Sequence, residues 1–296
     1  MLDPKQLETL SAVAETGGFD KAAKKLFLTQ SAISQRIRQL EEQLGQPVLT
    51  RTIPAEPTEA GRQLLQYFRQ ISLMENQLMN TLLPSGPRPE FTTLAIAVNA
   101  DSLATWFLQA VQPVLDSQPV LLDIMVDDQD YTHELMRAGH VVGCVSTRPQ
   151  PIQGGDSLFL GHMRYLCVAT RGFAQRYFPD GVTEPALAAA PTILYSRKDD
   201  VHREFLLHTA SYHGGFPYLT VPTPQGFVEI TRQGLAYSLL PELMLDDDIA
   251  AGRLIDLFPQ QHLDIPLYWH HWRVESALSQ ALADAMARHC RQHLRQ

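Results

Sequence analysis

Apolar residues recur through the first eighty positions at the three- and four-residue spacing of amphipathic helices. In TQSAISQRIRQLEEQLG (Thr29 to Gly45), Ile33, Ile37, Leu40 and Leu44 form one stripe, with Thr29 placed to cap the helix and Gly45 to end it. The opposite face carries Ser31, Gln35 and Arg38, flanked by Ser34, Gln39 and Glu42. Short hydroxyls, amides and a guanidinium are groups that read base edges and phosphates in a major groove, although any surface helix shows a polar face. Upstream, Leu7, Leu10, Val13 and Ala14 mark a first helix that Gly17 and Gly18 end, and FDKAAKKL (Phe19 to Leu26) makes a second, short one. FLT (Phe27 to Thr29) is left as a tight turn, which gives a helix-turn-helix arrangement. Val48 to Ile53 and the proline-bearing Pro54 to Thr58 can pair as a hairpin, a wing that brings Arg51 to the sugar-phosphate backbone. A winged helix-turn-helix over residues 1–58 is expected, with Thr29, Gln30, Ser31, Ser34, Gln35, Arg38 and Arg51 as its DNA-facing set.

After the wing, Thr58 can cap a long helix running to about Leu83. Leu64, Phe68, Ile71, Leu78 and Leu82 alternate along it at spacings of a coiled-coil seam, with Glu75 at the position that breaks the stripe. About 26 residues at 1.5 Å each make a rod of roughly 39 Å. The helix stands between two domains and ends at the proline-rich PSGPRPE (Pro84 to Glu90), so residues 59–90 read as a dimerisation helix and hinge rather than an ordinary packed helix.

Beyond residue 90 the pattern changes to alternating strand and helix. TLAIAV (Thr93 to Val98), LLDIMVDD (Leu121 to Asp128) and VVGCVST (Val141 to Thr147) read as strands. They are joined by helices over Asp101 to Leu115 and over YTHELMRAG, a βαβαβ unit with parallel strands. A second set begins near Met163 with RYLCVAT and continues through TILYS, YLTVPT and AYSLLP, separated by helices near 172–178, 201–208 and 225–233. LYWHHWR (Leu267 to Arg273) and a last helix from Glu275 to about Leu294 then return to the first set. The expected fold class is α+β and multidomain, its C-terminal part a two-lobed α/β domain over 91–296. Lobe I takes about 91–162 and 268–296, and lobe II about 163–267.

Composition sharpens this picture in three places. No run of about eighteen apolar residues exists for a membrane span, and MLDPKQLETL lacks the basic start and apolar stretch of a signal peptide, so a soluble cytoplasmic protein is expected. The three cysteines, Cys144, Cys167 and Cys290, are far apart and odd in number, which suits buried thiols in a reducing compartment. The net charge of −8 argues at first against nucleic acid, but residues 1–70 hold nine Lys/Arg against eight Asp/Glu, which leaves the negative excess in the remainder. Because the N-terminal part is barely cationic, tight DNA binding requires two or more copies acting together.

The string AAKKLFLTQSAISQRIRQLEEQLGQPVLTR, followed by PTEAG, resembles the N-terminal domain of the LysR-type transcriptional regulators over about sixty residues. Where that family usually shows Leu-Phe before the arginine, this chain has Val48-Leu49-Thr50-Arg51. That departure, with TIPAEPTEAG, is similar to the ArgP (IciA) and LysG branch, whose members respond to basic amino acids. The likeness continues at VNADSLATWF, VVGCVS, FAQRYFPDGVT and LYWH, and so covers nearly the whole chain. It implies a two-lobed effector domain like that of periplasmic binding proteins. It also implies an inverted-repeat operator in double-stranded DNA, a homodimer or dimer of dimers, RNA polymerase as a further partner, and lysine or arginine as effector. No other cofactor is expected.

In open α/β sheets, ligands bind beyond the carboxyl ends of strands. Here those places hold Asn99, Asp101 and Ser102, then Asp127 and Asp128, then Ser146 and Thr147. The other lobe offers Asp199 and Asp200 in the loop after TILYS, and Phe227 at a helix start. A basic amino acid presents a carboxylate, an α-ammonium and a distant cation. Helix-end N–H groups suit the first, Asn99, Asp101 or Ser102 the second, and one of the acidic pairs the third. Simple helix capping by Asn99 or Asp101, and solvated loops for the acidic pairs, are the plainer alternatives.

No Gly-rich phosphate loop, G-x-S-x-G elbow or CxxC occurs, and His270-His271 lies in a strand that sends its two rings to opposite faces, so neither a catalytic nor a metal site is expected. The leading reading is an effector-controlled transcription factor acting on basic amino acid export or metabolism, with a LysR-type regulator of another small effector as the alternative. An α/β enzyme or binding protein with an unrelated helical appendage, and an architectural DNA-binding protein without a ligand, stand further back.

Overall fold

The computed structural model describes residues 2–82, 91–126, 132–137, 140–273 and 277–296. Its N-terminal part consists of helices α1 (Pro4–Thr16), α2 (Phe19–Lys25), α3 (Gln30–Leu44) and α4 (Glu59–Leu82). Each end follows from local chemistry. Asp3 caps α1 by accepting from the Lys5 N–H, and Gly17 ends it in the left-handed conformation. Thr29 caps α3, with its hydroxyl accepting from the Ala32 N–H at 3.2 Å, and Gly45 ends it in the same left-handed way. Leu7, Leu10, Val13, Ala22, Ile33, Ile37 and Leu40 fill one core between the first three helices.

The wing is slighter than the sequence suggests. Only Leu49 and Pro57 form a bridge, supported by Thr50 N–H to Glu56 O at 2.7 Å and Thr58 N–H to Val48 O at 3.0 Å. Pro54 and Pro57 lack the N–H that a regular ladder needs, so no strand forms.

The seam of α4 also differs from expectation. Leu64 and Leu65 are buried in the core of the helix-turn-helix, and Phe68 packs against it. Among the described side chains of α4, the apolar ones left exposed are Tyr67, Ile71, Met74 and Leu78, spaced four, three and four, and the side chain of Leu82 lies outside the described ones. The exposed apolar stripe therefore passes through Tyr67 and Met74 where the expected one passed through Phe68 and Glu75, because the first two turns of α4 already cover their own domain. The hinge Pro84 to Glu90 lies outside the described residues.

The second part is built on a seven-stranded sheet, in which β2 (Val120–Val126), β1 (Thr92–Val98), β3 (Gly143–Ser146), β9 (Leu263–Trp272), β4 (Gly155–Ala169) and β7 (Ser238–Pro241) follow one another and β8 (Ile255–Asp256) branches from β4. A separate two-stranded sheet pairs β5 (Thr192–Leu194) with β6 (Tyr218–Thr220). Strands β1 (Thr92–Val98), β2 (Val120–Val126) and β3 (Gly143–Ser146) are parallel, as the βαβαβ pattern requires. The helix expected over Asp101 to Leu115 is two helices, α5 (Ala100–Thr105) and α6 (Phe107–Ser117). At the break the Thr105 hydroxyl donates to the Asp101 carbonyl at 2.7 Å, a back-bond that bends helices. Helix α7 (Thr132–Arg137) precedes β3.

Strand β4 (Gly155–Ala169) is fifteen residues long and starts well before Met163. It pairs antiparallel with β9 (Leu263–Trp272), and both cross from one lobe to the other, so the borders read at 162/163 and 267/268 fall inside strands. Gly161 bulges there at φ 132°, and a Cβ on it would meet the Arg295 carbonyl at 2.8 Å, which requires glycine.

The second lobe holds α8 (Arg171–Tyr177), α9 (Glu184–Ala189), β5 (Thr192–Leu194), α10 (Val201–Ala210), β6 (Tyr218–Thr220), α11 (Pro224–Arg232), β7 (Ser238–Pro241) and β8 (Ile255–Asp256). Helix α12 (Ala277–His293) returns to lie against α6 and β4. Of these, α9 was not foreseen. Trp106, Phe107, Tyr165, Tyr237 and Met286 anchor the shared core.

Candidate DNA-reading face and effector pocket

Burial of Ile33, Ile37 and Leu40 turns the other side of α3 outward, and with it Gln30, Ser31, Gln35 and Arg38. Thr29 is exposed at the cap, and its hydroxyl also hydrogen-bonds Ser31 Oγ at 3.0 Å. Ser34 is half-buried and accepts from Gln30 Nε2 at 3.3 Å. Arg38 is exposed and pairs with Glu42 one turn on, at 2.8 Å. Such a pair on a solvated face is weak, which leaves the guanidinium available to a phosphate or a base. Arg36 reaches back to Thr9 Oγ1 at 3.3 Å and Glu41 accepts from the Val48 N–H at 2.9 Å, so these two set the angle of α3 against α1 and the wing. Arg51 is exposed on the wing. Sequence reasoning passed over two neighbours, Phe27 and Ile53, which are almost wholly exposed at 94% and 99%. Among the described residues, nothing packs over their apolar side chains.

In the second part, a pocket enclosing about 730 Å³, including solvent at its mouth, opens between the two lobes. One wall is the start of α5, with Asn99 and Asp101; Tyr165 of β4 stands beside it. The other wall is Ile193, Tyr195, Asp199 and His202, closed by Phe227 of α11 and by Leu239 to Pro241 of β7.

Asn99 occupies the cap position of α5, yet its side chain makes no capping bond. The amide is 3% exposed, and both of its polar atoms lack a hydrogen-bond partner among the described residues. Ser102, fully buried one turn on, likewise has an unpartnered hydroxyl. Buried polar groups without partners are costly, so this wall is built to receive hydrogen bonds. Asp101 accepts from the Tyr165 hydroxyl at 2.7 Å.

Across the pocket, the Asp199 carboxylate accepts from the Tyr195 N–H at 2.9 Å and the Val201 N–H at 3.2 Å, which folds the loop into α10. That bonding accounts for a structural duty and also sets a negative charge in the lining. His202 is 3% exposed, and burial pushes its imidazole down to about 3, so the ring is neutral.

The candidate residues read from the sequence divide accordingly. Asn99, Asp101, Asp199 and Phe227 come together in the lining; Ser102, buried one turn along α5, is not part of it. Asp200 does not join them. It is exposed and faces Arg203 at 3.7 Å, because Asp199 and not Asp200 turns inward to cap the loop. Ser146 and Thr147 also stand outside the lining; Ser146 is buried at the end of β3, where its hydroxyl accepts from the Arg148 N–H at 3.2 Å. Asp127 and Asp128 lie outside the described residues. Tyr165, Tyr195 and His202 were missed. A lone aromatic inside a strand pattern looks like core, and only the pairing of β4 with β7 brings Tyr165 to the pocket.

Comparison with known proteins agrees with both halves. Residues 4–62 match the family described as bacterial regulatory helix-turn-helix protein, lysR family, and residues 88–291 match the LysR substrate binding domain. The chain is 43% identical over 286 residues to the HTH-type transcriptional regulator ArgP of Aeromonas salmonicida, covering 96% of this chain and 95% of that one. In structure it is similar to ArgP from Mycobacterium tuberculosis, with a TM-score of 0.86 and 38% identity over 100% of this chain and 99% of the other. It is also similar to full-length LysG from Corynebacterium glutamicum with bound effector Arg, with a TM-score of 0.81 and 34% identity over the whole of both chains. The chain belongs to the LysR family of bacterial helix-turn-helix regulators.

Proposed function

We propose that this protein is a cytoplasmic transcriptional regulator that binds an inverted-repeat operator as a homodimer or dimer of dimers. Its affinity or geometry on DNA is set by a basic amino acid, L-arginine or L-lysine, and its target genes serve basic amino acid export or metabolism. RNA polymerase is the further partner this role requires. The observation that carries the effector reading is the lining itself. The unpartnered amide N–H and carbonyl oxygen of Asn99 stand on one wall, and carboxylates at Asp101 and Asp199 belong to both walls. A relative 34% identical over its full length binds arginine.

The chemistry divides between the walls. Asn99 and Ser102 offer hydrogen bonds to an amino acid head group. Helix α5 has only six residues, so these side chains, more than any helix dipole, hold the head. Asp101 and Asp199 favour a cation over a neutral side chain of the same length. Closure of the two lobes on the ligand biases whichever arrangement of linker helices it fits, and a ligand shifts the equilibrium only by its preference for the closed form.

On the DNA side, Thr29, Gln30, Ser31, Ser34, Gln35 and Arg38 supply α3 contacts and Arg51 a backbone contact. The exposed stripe Tyr67-Ile71-Met74-Leu78 on α4 joins two copies, so that each dimer spans two half-sites. A gel-shift titration on an inverted-repeat operator, with and without 1 mM-range arginine or lysine, tests the whole reading. Sequence-selective binding whose midpoint or mobility changes with either amino acid supports it, and binding indifferent to both contradicts the effector assignment.

A further inference from the structure

Among the polar groups of the pocket, His202 has a proton whose place is fixed by its neighbours. Its Nε2 lies 3.2 Å from Thr192 Oγ1 and 3.2 Å from the Tyr237 hydroxyl. The Thr192 hydroxyl spends its only proton on the Tyr237 carbonyl at 2.9 Å, so toward His202 it can only accept. An unprotonated Nε2 could accept from the Tyr237 hydroxyl but would set lone pair against lone pair at Thr192, whereas a protonated Nε2 finds an acceptor oxygen in both, so Nε2 carries the hydrogen. In a neutral imidazole the remaining nitrogen, Nδ1, is then a bare acceptor. That atom is buried and has no partner among the described residues, while the ring lines the pocket. Phe216, edge-on at 5.3 Å, and Tyr237 hold the ring in place and offer Nδ1 nothing better.

We infer that His202 Nδ1 accepts a hydrogen bond from the α-ammonium of the effector and so makes the pocket selective for α-amino acids over cationic molecules that carry only a carboxylate. The inference rests on the basic-amino-acid reading above and adds the orientation of the head group. The ammonium faces α10 in one lobe and the carboxylate faces Asn99 in the other, so the head itself spans the cleft. A carboxylate turned toward Nδ1 would meet an acceptor, which forbids the reverse orientation. Thr192 and Tyr237 act as positioning residues, holding the tautomer without touching the ligand.

The test is calorimetric titration of the full-length chain with L-arginine and with 5-guanidinopentanoate, which is arginine without its amino group. Wild-type protein is expected to prefer arginine by about tenfold or more, the strength of one hydrogen bond to a charged group. His202→Gln carries an amide to the Nε2 position and leaves Nδ1 vacant, while His202→Asn sets an amide oxygen near Nδ1. Both are checked for folding by thermal melting. The preference for arginine is expected to collapse in His202→Gln and to persist in part in His202→Asn. A folded His202→Gln that keeps the wild-type ratio, or a folded His202→Asn that loses as much of it as His202→Gln, overturns the inference. Wild-type protein that binds both molecules equally overturns it too, whereas wild-type protein that binds neither overturns the effector reading beneath it.

Discussion

Tyr165 donates its hydroxyl proton to the Asp101 carboxylate at 2.7 Å, across sixty-four residues of chain. The bond ties the long strand β4 to the start of α5 and holds one carboxylate oxygen while Asp101 remains in the pocket lining. A carboxylate so held need not be ordered when a cation arrives, which lowers the entropic cost of binding.

Removing that tie should separate affinity from stability. Tyr165→Phe is expected to weaken arginine binding by about tenfold at most, while costing about 1 kcal/mol of stability, the ordinary worth of one hydrogen bond. Titration calorimetry beside thermal melting checks both numbers. Unchanged arginine affinity would show that Asp101 does not face the ligand cation.

Arg38 should matter to DNA and little to folding. Its side chain is 80% exposed and its Glu42 partner 61%, so the ion pair contributes little. Arg38→Ala is expected to lower operator affinity and, if the contact is to a phosphate, to reduce the slope of affinity against salt by about one. A marked fall in melting temperature instead would mean that α3 presents another face.

The two sides of α4 should respond oppositely to mutation. Lysine at both Ile71 and Leu78 is expected to yield folded monomers in sedimentation, with weakened operator binding. Leu65→Ala, at a site 1% exposed in the helix-turn-helix core, should cost about 2–5 kcal/mol. A dimer that survives both lysines would assign dimerisation elsewhere.

Stability should fall on mild acidification. Burial holds His202 down to about 3 and also lowers His133 and His270. The unfolded chain takes up protons at these positions below about pH 6.5, whereas the folded protein does not until lower pH. Their contribution is thus complete above pH 6.5 and is lost as pH drops, by at most about 1.4 kcal/mol per pH unit for each histidine. Melting curves between pH 7.5 and 5.5 should show the decline, with a shallower slope in His202→Asn.

How much was legible in the sequence depended on whether a signal was local. The three N-terminal helices, their caps at Thr29 and Gly45 and the outward set on α3 follow from spacing within a few residues. The α/β alternation was equally plain. Four features were not, three because distant parts of the chain decide them and one because a turn of the local backbone does. The phase of the α4 stripe depends on which turns the helix-turn-helix core claims, and Leu64 and Phe68 fit either surface. The early start of β4 depends on pairing with β9 a hundred residues later, around a bulge at Gly161 that breaks the alternation. The roles of Asp199 and Asp200 differ by a turn of the loop that no composition reveals. His202 looked like a helix residue of no consequence until Thr192 and Tyr237 were seen to flank it.

The most direct test of the account is calorimetry of the full-length protein with L-arginine, L-lysine and L-norleucine, the last an amino acid with a neutral side chain of similar length. With the Asp101 and Asp199 carboxylates in the pocket lining, arginine or lysine should bind at least about tenfold more tightly than norleucine. Norleucine affinity equal to that of both basic amino acids, or no binding of either of them, would contradict it.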